Sequence, residues 1–67
     1  MRHTGTVQKY DRQYGVGHIL KNDSIYYFSH RNIIMDGYRY LDPGDKVSFS
    51  IGIRGDQLIA VEITLKH

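Results

Sequence analysis

Tyr14–Gly15–Val16–Gly17–His18–Ile19–Leu20–Lys21–Asn22–Asp23–Ser24–Ile25–Tyr26–Tyr27–Phe28–Ser29 is the stretch on which the fold turns. A glycine-spaced run, Tyr14–Leu20, breaks at the polar Lys21–Asn22–Asp23 and resumes as Ser24–Ser29, where Ile, Tyr and Phe follow one another. Short β-branched and aromatic runs bounded by Asn, Asp and Ser are strand chemistry, since the former pack well on a pleated surface and the latter favour turns. Upstream, Thr4–Tyr10 has the same character and stops at Asp11–Arg12–Gln13, so three strands join into an antiparallel meander. Downstream, an irregular stretch from His30 to Gly44 carries the turn signals Asp36–Gly37 and Asp42–Pro43–Gly44. Asp45–Arg54 and Gln57–Leu65 then form a hairpin about Arg54–Gly55–Asp56. No segment has a helical period; His30–Met35 accommodates one short turn at most. The expected fold is all-β, a five-stranded antiparallel Greek-key barrel, closed so that no sheet edge stays open.

Alternation assigns faces to these strands. Val47, Phe49 and Ile51 form one apolar row, and Ile59, Val61, Ile63 and Leu65 form another. With Ile19, and with Ile25 and Tyr27, these fill a barrel interior. Tyr26 and Phe28 are then expected on the outer surface beside Val16 and His18, an apolar and aromatic patch facing water. Gly15 and Gly17 let the second strand coil tightly.

Length and composition bound the function. Sixty-seven residues make one domain, 1–67, without repeats or linkers, which buries only about 60% of its unfolded surface. There is no cysteine, and the four histidines, His3, His18, His30 and His67, lie far apart, so neither a metal nor any other cofactor is expected. No apolar run is long enough to cross a membrane, and Met1–Thr4 leads into no hydrophobic leader, which points to a cytoplasmic protein. The Asp residues sit in turn-like positions, the serines lack a His/Asp partnership, and Gly15-x-Gly17 lacks a phosphate loop's third glycine and helix. An enzyme with a small-molecule substrate is not expected. A net charge of +2 permits nucleic acid as a partner without demanding it.

The chain resembles the cold-shock domain, the nucleic-acid-binding OB-type barrel, over nearly its whole length. Gly5–Tyr10 is similar to that family's first strand, Gly-x-Val-Lys-Trp-Phe, and Gly15–Ile19 to its first ribonucleoprotein motif, Gly-Phe-Gly-Phe-Ile. Ile25–Ser29 occupies the place of the second motif, Val-Phe-Val-His-Phe, with Phe28–Ile33 one residue longer than the family pattern. Asp36–Leu41 and Gly44–Ile51 resemble the family's loop and fourth strand in order and spacing. The stacking Trp of the first strand falls at Lys9, and the two Phe of the first motif fall at Val16 and His18.

What the resemblance implies is single-stranded RNA or DNA binding without catalysis. Bases would stack on an aromatic strand face while basic side chains meet phosphates. The residues expected to carry this are Lys9, Tyr10, Arg12, Val16, His18, Tyr26, Phe28, Arg31, Tyr38 and Arg39. Tyr27 is read as packing rather than contact, because its parity runs with Ile25. Loss of the Trp and Phe platforms predicts micromolar rather than nanomolar affinity. The alternative is a protein–protein or self-associating module, a homo-oligomer included, in which Tyr26, Phe28, Val16 and Leu58 form an apolar interface. An S1-like OB domain, suggested by Leu41-x-Pro43–Gly44–Asp45–Lys46–Val47, would also bind RNA. Arg54–Gly55–Asp56 is explained as turn chemistry.

Overall fold

A computed structural model describes residues 2–34 and 40–66. Five strands, β1 (His3–Asp11), β2 (Val16–Lys21), β3 (Ser24–Ser29), β4 (Lys46–Arg54) and β5 (Gln57–Leu65), are joined by a 3-10 turn at His30–Asn32 after β3. They close into a barrel in the order β1-β2-β3-β5-β4. Pairing is antiparallel except between β3 and β5, which meet in parallel at Tyr27 and Ile59. This is the five-stranded OB-type barrel expected from the sequence.

The β2–β3 hairpin turns on Asn22 and Asp23, both with positive φ (47° and 64°). A two-residue type I′ turn needs that conformation, and Asn and Asp tolerate it better than other side chains. The turn sets Lys21 opposite Ser24, and therefore Ile19 opposite Tyr26 and Gly17 opposite Phe28. Cross-strand partners share a face, so the inward row of β2 dictates the inward row of β3.

The consequence reverses the faces expected for β3. Tyr26 and Phe28 are in the core, 7% and 5% exposed, while Ile25 and Tyr27 face water at 43% and 47%. Every residue from Ile25 to Phe28 is apolar, so the strand itself carries no polar mark of which side faces out. The decision comes from β2, where glycine at position 17 leaves a volume that only a large ring opposite can fill. Phe28 fills it and stacks on Tyr10, with centroids 5.8 Å apart and planes at 4°. Tyr26 packs on Phe49 at 5.5 Å. Around these rings lie Val7, Ile19, Ile33, Leu41, Val47, Ala60 and Ile63, each no more than 1% exposed.

Two bulges shift parity elsewhere. In β5, Ser48 pairs with Thr64 but Ser50 with Val61, so β5 carries an extra residue opposite Phe49, and Glu62 takes a φ of 51°. Ala60 points inward before the bulge and Ile63 after it. The expected single row of Ile59, Val61, Ile63 and Leu65 is therefore split; Ile59 lies on the outer side. In β1, Val7 pairs with Ile19 but Lys9 with His18, so the extra residue lies between Val7 and Lys9. Val7 points inward and Lys9, two residues later, points out.

Among the described glycines, Gly17 has the closest neighbours. A Cβ there would collide with the Lys9 carbonyl oxygen and come within 3.0 Å of both Phe28 Cζ and Tyr10 Cα. Two of these three neighbours are backbone, which cannot swing aside as a side chain does. Gly17→Ala should lower stability by about 2 kcal/mol or more, the range of overpacked cores. Urea unfolding followed by circular dichroism should show a lower midpoint with an unchanged slope; an unchanged midpoint would contradict this close approach.

Candidate nucleic-acid interface

The β1 bulge and the β2–β3 register together build one outer row across four strands. Lys9 lies opposite His18, His18 opposite Tyr27, and Tyr27 opposite Ile59. This row floors a groove of about 440 Å³. Val16, Gly17, Phe28 and Gln57 also line it, with Asp11, Ser29, Asn32 and Arg54 adding polar groups. His18 meets Tyr27 edge to face, centroids 5.9 Å apart and planes at 63°. That contact holds the two rings against each other and leaves Tyr27 half exposed, an aromatic surface on the open side of the sheet.

The end of the groove is fixed by backbone bonds. Asp11 Oδ1 accepts from the N–H groups of Gln13 (2.9 Å) and Tyr14 (3.3 Å), which shapes the β1–β2 turn. Gly15, at a φ of 68°, accepts from the His30 N–H at 2.7 Å and lies beneath the His30 ring. A Cβ on Gly15 would come within 2.6 Å of His30 Nδ1. The turn before β2 thus pins the 3-10 turn after β3, and with it Ser29 and Asn32.

Of the residues expected to bind, Lys9, Val16 and His18 come together in the groove. Phe28 borders it from a buried position, Tyr10 is half-buried against Phe28, and Tyr26 belongs to the core, so none of the three is the free outer platform expected. Arg12 is directed elsewhere: it donates to Asp42 Oδ1 at 2.8 Å and lies 4.5 Å over the Tyr40 ring. Arg31 is exposed on the 3-10 turn, outside the groove lining. Tyr38 and Arg39 lie outside the described residues. The apolar interface imagined from Tyr26, Phe28, Val16 and Leu58 loses its two rings to the core. Sequence reasoning missed Tyr27, Ile59, Arg54, Gln57, Ser29 and Asn32. A signal for Tyr27 was present, because a two-residue turn at Asn22–Asp23 pairs it with His18 rather than placing it beneath.

The family model described as "'Cold-shock' DNA-binding domain" matches residues 3–66. The chain belongs to the cold-shock domain family. Its fold is also similar to the solved structure titled "drosophila Unr CSD456", with a TM-score of 0.81 at 22% identity, covering 100% of this chain and 27% of that one. The chain thus spans about a quarter of that structure's length. No curated protein sequence matches it. For this cold-shock domain, the structure favours reading the second motif one residue later, on Tyr26–His30. Its outer aromatic then falls on Tyr27 and its His on Ser29, and the extra residue before Ile33 disappears.

The two faces of β3 separate by stability. Tyr26→Ala, which empties a core volume, should cost about 3 kcal/mol or more, a large part of what a domain of this size has. Tyr27→Ala, on the open face, should stay within about 1 kcal/mol. Thermal melts of the two variants give the comparison; equal losses would be incompatible with the inward and outward assignment.

Proposed function

We propose that this groove binds single-stranded RNA or DNA, without a chemical step. The observation that carries the reading is the row Lys9–His18–Tyr27–Ile59, which sets an exposed ring between a cation and an apolar wall in a domain of nucleic-acid-binding family. An unpaired base offers a π-face to Tyr27, a stack worth roughly 1–3 kcal/mol. Lys9 on β1 and Arg54 at the end of β4 border the groove and are placed to meet phosphates, with Arg31 nearby in the chain. A duplex keeps its bases stacked and hidden, so single strands fit this surface better. Among the described residues, the one serine hydroxyl lining the groove, Ser29 Oγ, lies 3.4 Å from Asn32 Oδ1, and an amide oxygen is no general base.

The strength expected is micromolar, about −8 kcal/mol. One exposed ring in the groove, an imidazole beside it and few cations give less than a face of several large aromatics. Fluorescence anisotropy with a labelled seven-to-ten-nucleotide pyrimidine strand, its RNA counterpart and a duplex tests this. The single strands should bind saturably and better than the duplex, with a log–log salt slope near −2 if about three phosphates are neutralised. Tyr27→Ala should weaken binding by about tenfold, in the lower half of the stacking range, whereas a dissociation constant above about millimolar for every strand would remove the proposal.

A further inference from the structure

The Asn32 side chain is held in one orientation by a donor that cannot reverse. The backbone N–H of Ser29 donates to Asn32 Oδ1 at 3.0 Å, and the Ser29 hydroxyl lies 3.4 Å from the same oxygen. A backbone N–H can only donate, so the amide oxygen is committed to Ser29 and the NH2 group is turned away from it. Among the described residues Asn32 Nδ2 has no partner, and no buried polar side-chain atom is left unsatisfied, so this NH2 is open to solvent. Asn32 lines the groove. The groove therefore contains an amide that offers donors and no free acceptor on the side turned from Ser29.

Its position suits a base edge. Along β3 the outer face runs Tyr27 then Ser29, and the 3-10 turn that follows ends at Asn32. Two residues of strand span roughly 7 Å, the same order as the distance, about 5.6 Å, from the centre of a base ring to a donor hydrogen-bonded to an oxygen at its rim. The turn that carries Asn32 is anchored to Gly15 through the His30 N–H, so the amide is placed before a ligand arrives.

We infer that Asn32 is a specificity residue of this groove, donating from Nδ2 to a carbonyl oxygen on the edge of the base stacked at Tyr27. The inference rests on the proposed single-strand binding. A donor without an acceptor favours thymine, uracil and cytosine, whose pairing edges carry projecting carbonyl oxygens, over adenine, whose pairing edge projects an amino group and offers as acceptor only the ring nitrogen N1. Ordinary Asn–adenine recognition uses the amide oxygen and nitrogen together, and Ser29 has removed the oxygen from that role.

Asn32→Asp separates the donor from the anchor. Aspartate keeps an oxygen for the Ser29 N–H but replaces the NH2 by a carboxylate oxygen. Affinities for oligo(dT) and oligo(dA) seven-mers should be measured by anisotropy for the wild type, Asn32→Asp and Asn32→Ala. The added negative charge and the intrinsic stacking of oligo(dA) act on both arms of the comparison and cancel in the change of ratio. The dT:dA affinity ratio should fall about fivefold in Asn32→Asp, the lower end for a contact to a base edge. Asn32→Ala should lower it similarly and serves if the aspartate variant folds poorly. Wild-type and variant proteins that bind both strands with the same ratio would overturn the role of Asn32 and leave single-strand binding standing. Absence of binding by the wild type to either strand would overturn both.

Discussion

Gly17 occupies a point where three pieces of chain meet and no side chain fits. The Lys9 carbonyl, the Tyr10 backbone and the Phe28 ring all converge on it. Because that volume is empty, Phe28 can turn inward and stack on Tyr10, and β1 can lie close enough to bulge over β2. The bulge then turns Lys9 outward beside His18, and the register that buries Phe28 exposes Tyr27. Interior packing and outer groove are thus two results of a single steric constraint.

The outer surface is not uniform. Over β4 and β5 it is closed by Arg2, which donates to the Ser48 carbonyl at 2.9 Å and to Thr64 Oγ1 at 3.2 Å, and lies 3.6 Å from Glu62. Arg12 is committed likewise to Asp42 and Tyr40. Exposed pairs of this kind contribute little stability, but they take those guanidinium groups away from an incoming ligand. Among the described residues, none covers Lys9, His18 and Tyr27 in this way. Where the chain satisfies its own surface charges and where it leaves a ring and a cation open distinguishes a closed sector from a receptive one.

Much of this was legible in the residues. Strand limits followed from turn chemistry, and Val47 and Phe49 were rightly placed in the core, because Ser48 and Ser50 alternate with them. The faces of β3 were not, since Ile25–Tyr26–Tyr27–Phe28 offers no such contrast, and the row of Ile25 and Tyr27 expected inside faces water. The missing step was register: with Asn22–Asp23 as a two-residue turn, Ile19 must face Tyr26, and a known inward residue then settles its partner. The row of β5 failed for another reason, a bulge at Glu62 that no local pattern announces. Asn32 was hidden because its role depends on a bond to the Ser29 backbone, and spacing alone does not say which end of an amide is occupied.

In the proposed binding, Lys9 and His18, where the family carries stacking rings, would change the kind of contact as well as its strength. Stacking is short-ranged and indifferent to salt, whereas a cation at a phosphate gains from counterion release and loses it as salt rises. With one exposed aromatic, a lysine and an arginine among the described lining residues, a groove that binds a single strand as proposed would depend proportionately more on the backbone of its ligand than on the faces of its bases. Discrimination between bases must then come from edges rather than stacking, since every base has a π-face. Fixed polar groups at the rim, held by backbone bonds as Asn32 is by Ser29, are what such a surface has left with which to tell one base from another.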